Sequence, residues 1–98
     1  MEDQKFHQLR LFVAGSTANS TRAIANLSEF CRRFLPGRYS IEIVDVFLEP
    51  RRALEEEIFL TPTLVRLEPG PMLRIVGTLS QPKPLMETLG LKLDVHAR

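Results

Sequence analysis

The run Leu9–Ala14 is apolar at every position but Arg10. A short, nearly unbroken apolar run reads as a strand covered on both faces, at the centre of a sheet. A small polar turn follows, Gly15-Ser16-Thr17-Ala18-Asn19-Ser20, and then a segment with helical period. There Ile24, Leu27, Cys31 and Phe34 recur three or four apart, with Ala23 and Phe30 beside them. Arg22, Asn26, Glu29 and Arg33 take the other side. Asn19 or Ser20 is placed to cap this helix by accepting from its orphan amides. Pro36-Gly37 ends it. Tyr39–Val46 is the second strand, with Ile41, Ile43 and Val44 as core candidates. A strand–helix–strand unit of this kind makes a parallel pair with a right-handed crossover, and the rest of the chain must pack around it.

Pro50 suits the first turn of a second helix, where its missing N–H would be unpaired anyway. That helix runs to about Glu57. Thr63–Leu67 and Leu73–Val76 are two short strands joined by Glu68-Pro69-Gly70-Pro71, which is hairpin chemistry. The tail supports two readings. Ser80 can cap a last helix carrying Leu85, Met86 and Leu89, with Pro82 and Pro84 in its first turns. Yet Leu89, Leu91, Leu93 and Val95 alternate with Gly90, Lys92 and Asp94, which is the period of a strand. Both stay open on pattern alone.

Ninety-eight residues allow one domain with one modest core, expected over 1–98 with frayed ends at about 1–6 and 94–98. A net charge of +1 gives no reason to expect nucleic acid or an anionic membrane as partner. The pairs Arg32-Arg33 and Arg51-Arg52 lie close to Glu29 and to Glu55-Glu56-Glu57, and so read as solvated helix faces. No apolar run approaches the roughly 20 residues that span a bilayer. Met1–Lys5 has neither a basic nor an apolar region, so no export signal is expected. One cysteine cannot staple a fold, which fits a reducing cytoplasm.

The layout strand–helix–strand, helix, hairpin, helix (βαβαββα), with Pro62 opening the third strand, is thioredoxin-like. In such domains the turn after the first strand holds a Cys-x-x-Cys, and the residue before a cis-proline faces it. Here that turn has no cysteine, and Cys31 alone cannot perform dithiol exchange. A closer resemblance rests on four segments in order. They are Leu11-Phe12-Val13-Ala14-Gly15-Ser16-Thr17-Ala18-Asn19-Ser20, Ile43-Val44-Asp45-Val46, Thr61-Pro62-Thr63-Leu64 and Arg74-Ile75-Val76-Gly77-Thr78-Leu79-Ser80. They resemble the KaiB family, whose patterns there are close to LYVAGNTPNS, VIDV, TPTL and RIIGDLS. The likeness runs from about Leu9 to Leu91.

The resemblance implies a regulatory binding protein, not an enzyme, with no cofactor and no metal. KaiB proteins bind the N-terminal ATPase ring of hexameric KaiC, displace the related sensor domain of the SasA kinase and sequester KaiA. They also switch fold between a thioredoxin-like monomer that binds KaiC and a tetramer with a rearranged C-terminal half (βαββααβ). A homotetramer or dimer would belong to that second state. The resting form expected here is thioredoxin-like. Thr78 replaces the family's aspartate, and Pro69-Gly70-Pro71 its triple proline. Glu42 and Glu57 stand where clock members commonly carry lysine. Thr88, Gly90 and His7 fall at positions that tune the switch in the family. These departures suggest a divergent paralogue, and the reversed charge at Glu42 weighs against KaiA as partner.

The expected partner surface is the end of the second strand with the second helix: Phe47, Leu48, Glu49, Pro50, Arg51, Arg52, Glu55 and Glu56. A short apolar loop edged by charges is a common binding composition. The bland reading is that Phe47 and Leu48 pack beneath the helix. Cys31, on the face of Leu27 and Phe34, reads as a core cysteine. His7 and His96 lack metal-ligand spacing and read as surface residues. Pro62 is expected to be cis in the thioredoxin-like state and trans in the other. An alternative function is a glutathione-binding or redox-type protein using Ser16, with Pro62 and the Thr61 backbone holding the peptide.

Overall fold

The computed structural model describes residues 5–91. Its elements are β1 (His7–Val13), α1 (Ala18–Phe34), β2 (Tyr39–Asp45), α2 (Pro50–Glu55), β3 (Thr63–Glu68), β4 (Leu73–Val76) and α3 (Pro82–Thr88). The sheet order is β2-β1-β3-β4. β1 and β2 run parallel, with Leu11 opposite Ile43, while β3 runs antiparallel to both β1 and β4. The apolar run is therefore a central strand, as its composition requires. The predicted βαβαββα order is the observed one.

Alternation along β1 divides the core. Leu9, Leu11 and Val13 join α1 (Ala23, Leu27, Phe30, Cys31), Leu64 and α3 (Leu85, Met86, Leu89) in one buried cluster. Phe12 faces the other way, toward Val44, Val65 and Ala53 of α2. The sheet thus carries α1 and α3 on one face and α2 on the other. Cys31 is fully buried, and burial pushes its thiol up to about 12, away from reactivity.

Several local expectations are corrected. The α1 cap is Thr17, not Asn19 or Ser20: its side chain accepts from the Ser20 amide. Ser20 is buried, and its Oγ accepts from the Ala14 amide at 2.9 Å, tying the helix to the end of β1. Ile43 is not core but 42% exposed, because β2 is an edge strand. His7 is not a surface residue. It shares the sheet face of Leu9 and Leu11 and is 1% exposed, and its amide donates to the Arg38 carbonyl. His96 lies outside the described residues.

In α3 the cap position is Gln81 rather than Ser80, with Pro82 as first residue. Its far end is a Schellman motif. Gly90, at φ +75°, donates to the Glu87 carbonyl, and Leu91 donates to the Met86 carbonyl. The helical reading of the tail holds as far as Leu89. Leu93 and Val95, which the strand reading needs, lie outside the described residues. So do the expected frayed ends, except Lys5 and Phe6, which are exposed and irregular.

Arg66 closes this end of the molecule. It is 7% exposed and donates to the Leu89 carbonyl at 2.8 Å and the Pro71 carbonyl at 3.2 Å. Its Nε has no partner among the described residues, and desolvation lowers its pKa. The guanidinium sits on the carbonyl end of α3, where the helix dipole favours a cation.

Candidate functional site

Strand directions bring four segments to one end of the sheet. β1 and β2 finish there, β3 starts there and β4 finishes there. The Gly15 turn, the Phe47-Leu48 loop, Leu60-Thr61-Pro62 and Val76-Gly77 are thus neighbours. The Thr61–Pro62 bond is cis, and Gly77 donates to the Pro62 carbonyl at 3.0 Å.

Asp45, last residue of β2, organises the corner. Its Oδ1 accepts from the Gly15 amide at 3.0 Å and from the Phe47 amide at 2.9 Å. Gly15 adopts φ +58°, a conformation open to glycine, and a Cβ there would stand 3.2 Å from the Phe47 ring. The turn and the apolar loop are therefore fitted to each other. Ser16 is exposed in this turn, and among the described residues no histidine or carboxylate hydrogen-bonds to it. A serine nucleophile requires such a base. Among the described residues no group of three His, Cys, Asp or Glu could hold a metal.

What this end offers is apolar surface. Phe47, Leu48, Leu54, Phe59, Leu60 and Val76 are all more than half exposed, Leu48 at 79% and Phe59 at 80%. Burying one such side chain is worth about 1.5–3 kcal/mol. Phe47 and Leu48 therefore do not pack beneath α2. Of the other residues expected here, Glu49, Pro50, Arg51 and Glu55 are exposed, while Arg52 and Glu56 are half-buried and engaged within the chain. Phe59, Leu60, Leu54 and Val76 were not anticipated. Ile58-Phe59-Leu60 is an apolar triplet before Thr61-Pro62, but half-buried Ile58 packs on the α2-side core, so the triplet reads as core.

Charged groups surround α2. Glu42 on β2 receives Arg52 at 2.7 and 3.1 Å and Arg10 Nε at 2.7 Å. These bonds, Arg52's first, hold its carboxyl down at about 2. The bond to Glu42 in turn raises Arg52. Arg10 reaches Glu56 at 2.6 Å, and Arg74 on β4 donates to the carbonyls of Glu56 and Glu57. Glu57 sits at φ +57°, where glycine usually ends a helix, at a cost of about 1–2 kcal/mol.

The remaining predicted positions do not join this site. His7 opens β1 at the opposite end of the sheet, Thr88 is exposed at the end of α3, and Gly90 belongs to the α3 terminus. Only Pro62 stands at the docking end, where it is buried.

A family model described as the KaiB domain matches residues 10–91. "Circadian clock protein KaiB3" of Synechocystis sp. is 41% identical over 85 residues, covering 87% of this chain and 81% of the relative. "Circadian clock oscillator protein KaiB" of Prochlorococcus marinus is 38% identical over 94 residues, covering 96% and 87%. The fold is similar to the N-terminal domain of Synechococcus elongatus SasA, with TM-score 0.72 and 19% identity over 93% of this chain and 90% of that one. Chloroplastic thioredoxin z gives TM-score 0.72 at 23% identity, covering 91% and 80%. Sequence and fold agree: the chain belongs to the KaiB family and is drawn here with a thioredoxin-like architecture.

Proposed function

We propose that this protein is a non-enzymatic clock-type adaptor that docks on the N-terminal ATPase ring of a KaiC-type hexamer. The observation that carries the reading is the uncovered apolar end, with Phe47, Leu48, Phe59 and Leu60 gathered beside a turn that holds no thiol. Binding energy spent there selects one conformation of the hexamer, and through it the phase or strength of a signal. The domain shares its fold with a SasA sensor domain, which supports competition for one docking place. KaiA is the weaker candidate partner, given Glu42 on the β2 edge. The protein works in the cytoplasm as a thioredoxin-like monomer. Exchange into the family's tetrameric fold would use the second reading of the tail. Among the described residues no helix is long and apolar enough to cross a membrane.

The test is co-elution with the KaiC-type hexamers of the same genome, in ATP and in ADP. Nucleotide-dependent co-elution, weakened at least tenfold by Leu48→Asp in a folded protein, is the expected result, a loss of about 1.4 kcal/mol. Absence of co-elution with every such hexamer in both nucleotides would overturn the reading.

A further inference from the structure

α2 has little of its own to hold it in place. It spans six residues, too few to persist without tertiary support, and its N-terminus has no side-chain cap. Ala53 is its buried residue, with Ile58 packed just beyond its end. It also ends with a glutamate in the left-handed region.

Three strands grip it instead. β2 holds the middle of the helix through the two-point pair of Glu42 with Arg52. β1 holds the end through Arg10, which bonds Glu56 and also Glu42, so the two grips are one network. β4 holds the last carbonyls, those of Glu56 and Glu57, through Arg74. Isolated exposed pairs contribute little, but here several charges converge and Arg10 is 18% exposed. The grips act on the middle and the end of one short rod, which fixes its tilt. The exposed apolar residues Leu48 and Leu54 lie just before that rod and on it.

We propose that Arg10, Glu42, Arg52, Glu56 and Arg74 are positioning residues that clamp α2 in the pose that presents the docking end. This rests on the reading of that end as the partner surface. The clamp gives Arg52 and Glu56 an internal task in place of partner contact. It also gives Glu42 a function at a position where its charge is reversed relative to clock relatives: the negative charge is matched by this chain's own arginines. When the clamp is cut, α2 samples other poses, and apparent affinity falls with the fraction of molecules left in the docking pose.

The test uses Glu42→Gln, Arg52→Met and the double variant. Two quantities are read: affinity for the KaiC-type hexamer, and hydrogen exchange of the α2 amides Arg52, Ala53, Glu56 and Ile58 in the free protein. If a single cut leaves about one molecule in five in the docking pose, each single variant weakens binding roughly fivefold. The α2 amides then exchange faster, those of α1 do not change, and the double variant is no worse than either single one. Losses that multiply to roughly 25-fold with unchanged α2 exchange would mean separate direct contacts and overturn the clamp, because independent effects add in free energy. Unchanged affinity and unchanged exchange would overturn it too. Leu48→Asp separates the two ideas: if it leaves binding intact, the docking reading fails, while the exchange comparison still decides the clamp.

Discussion

On the α1/α3 side of the sheet, thirteen of the described residues close into one buried apolar cluster; on the α2 side, four do. The first side is built from a 17-residue helix with a continuous apolar stripe, and from α3, whose end is finished by a Schellman turn and Arg66. The second is a six-residue helix held by ion pairs, with large apolar side chains left in solvent around it. Hydrophobic burial is non-directional and strong, so the first side carries stability. Ion pairs near the surface are weak but directional, so the second side carries geometry. The teaching is that one sheet can separate the work of folding from the work of recognition by assigning each a face.

That separation can be broken most forcefully from the first side. Leu27→Ala, at a fully buried position of α1, should cost about 2–5 kcal/mol in denaturant unfolding. A loss below about 1 kcal/mol would mean the α1 face is not the main core. Next in size is Gly90→Ala. The residue sits at φ +75° with open space around it, so the cost is backbone strain alone, about 1–2 kcal/mol. An unchanged midpoint would mean that the α3 terminus does not hold this shape in solution.

On the second side the effects are smaller and electrostatic. The Glu42 carboxyl should titrate with a midpoint at about 2, followed by its side-chain carbon shift in NMR. Its folded value lies below its ordinary one. Its contribution to stability is therefore present above the usual carboxylate range and is lost as pH falls from about 4.5 toward about 2. The carboxylate is about half exposed, so this contribution is small. A midpoint near 4.5 would mean the Arg52 and Arg10 bonds are not formed in solution. Smallest of all is the effect of Leu48→Asp on stability, within about 0.5 kcal/mol because the side chain packs on nothing that folding requires.

Most of the first side was legible in the sequence. Its stripe Ile24, Leu27, Cys31, Phe34 and the apolar run of β1 carry their periods openly, and Pro50, Pro69-Gly70-Pro71 and Pro82 punctuate the chain where elements start or turn. Caps were read one to three residues late, because Thr17, Asn19 and Ser20 have the same capping chemistry and only the backbone path chooses among them. His7 and Arg66 are polar residues on the core face, and nothing local announces that a terminal strand position or a hairpin will be covered by α1 and α3. The second side was less legible for a stated reason. The partners of Glu42 lie 32 and 10 residues away in sequence, and the exposure of Phe59 and Leu60 depends on how short α2 turns out to be. Phe47 and Leu48 were found because an apolar pair next to a helix-opening proline stands out in any register.

The measurement that tests the division of labour most directly is hydrogen exchange of the adaptor alone and bound to its KaiC-type hexamer. The account predicts slowing confined to the Gly15 turn, Phe47–Glu57, Leu60-Thr61 and Val76-Gly77, with α1 and α3 unchanged. Protection concentrated instead on the exposed face of α1 or on α3 would contradict it, and would move the recognition surface to the side assigned here to folding.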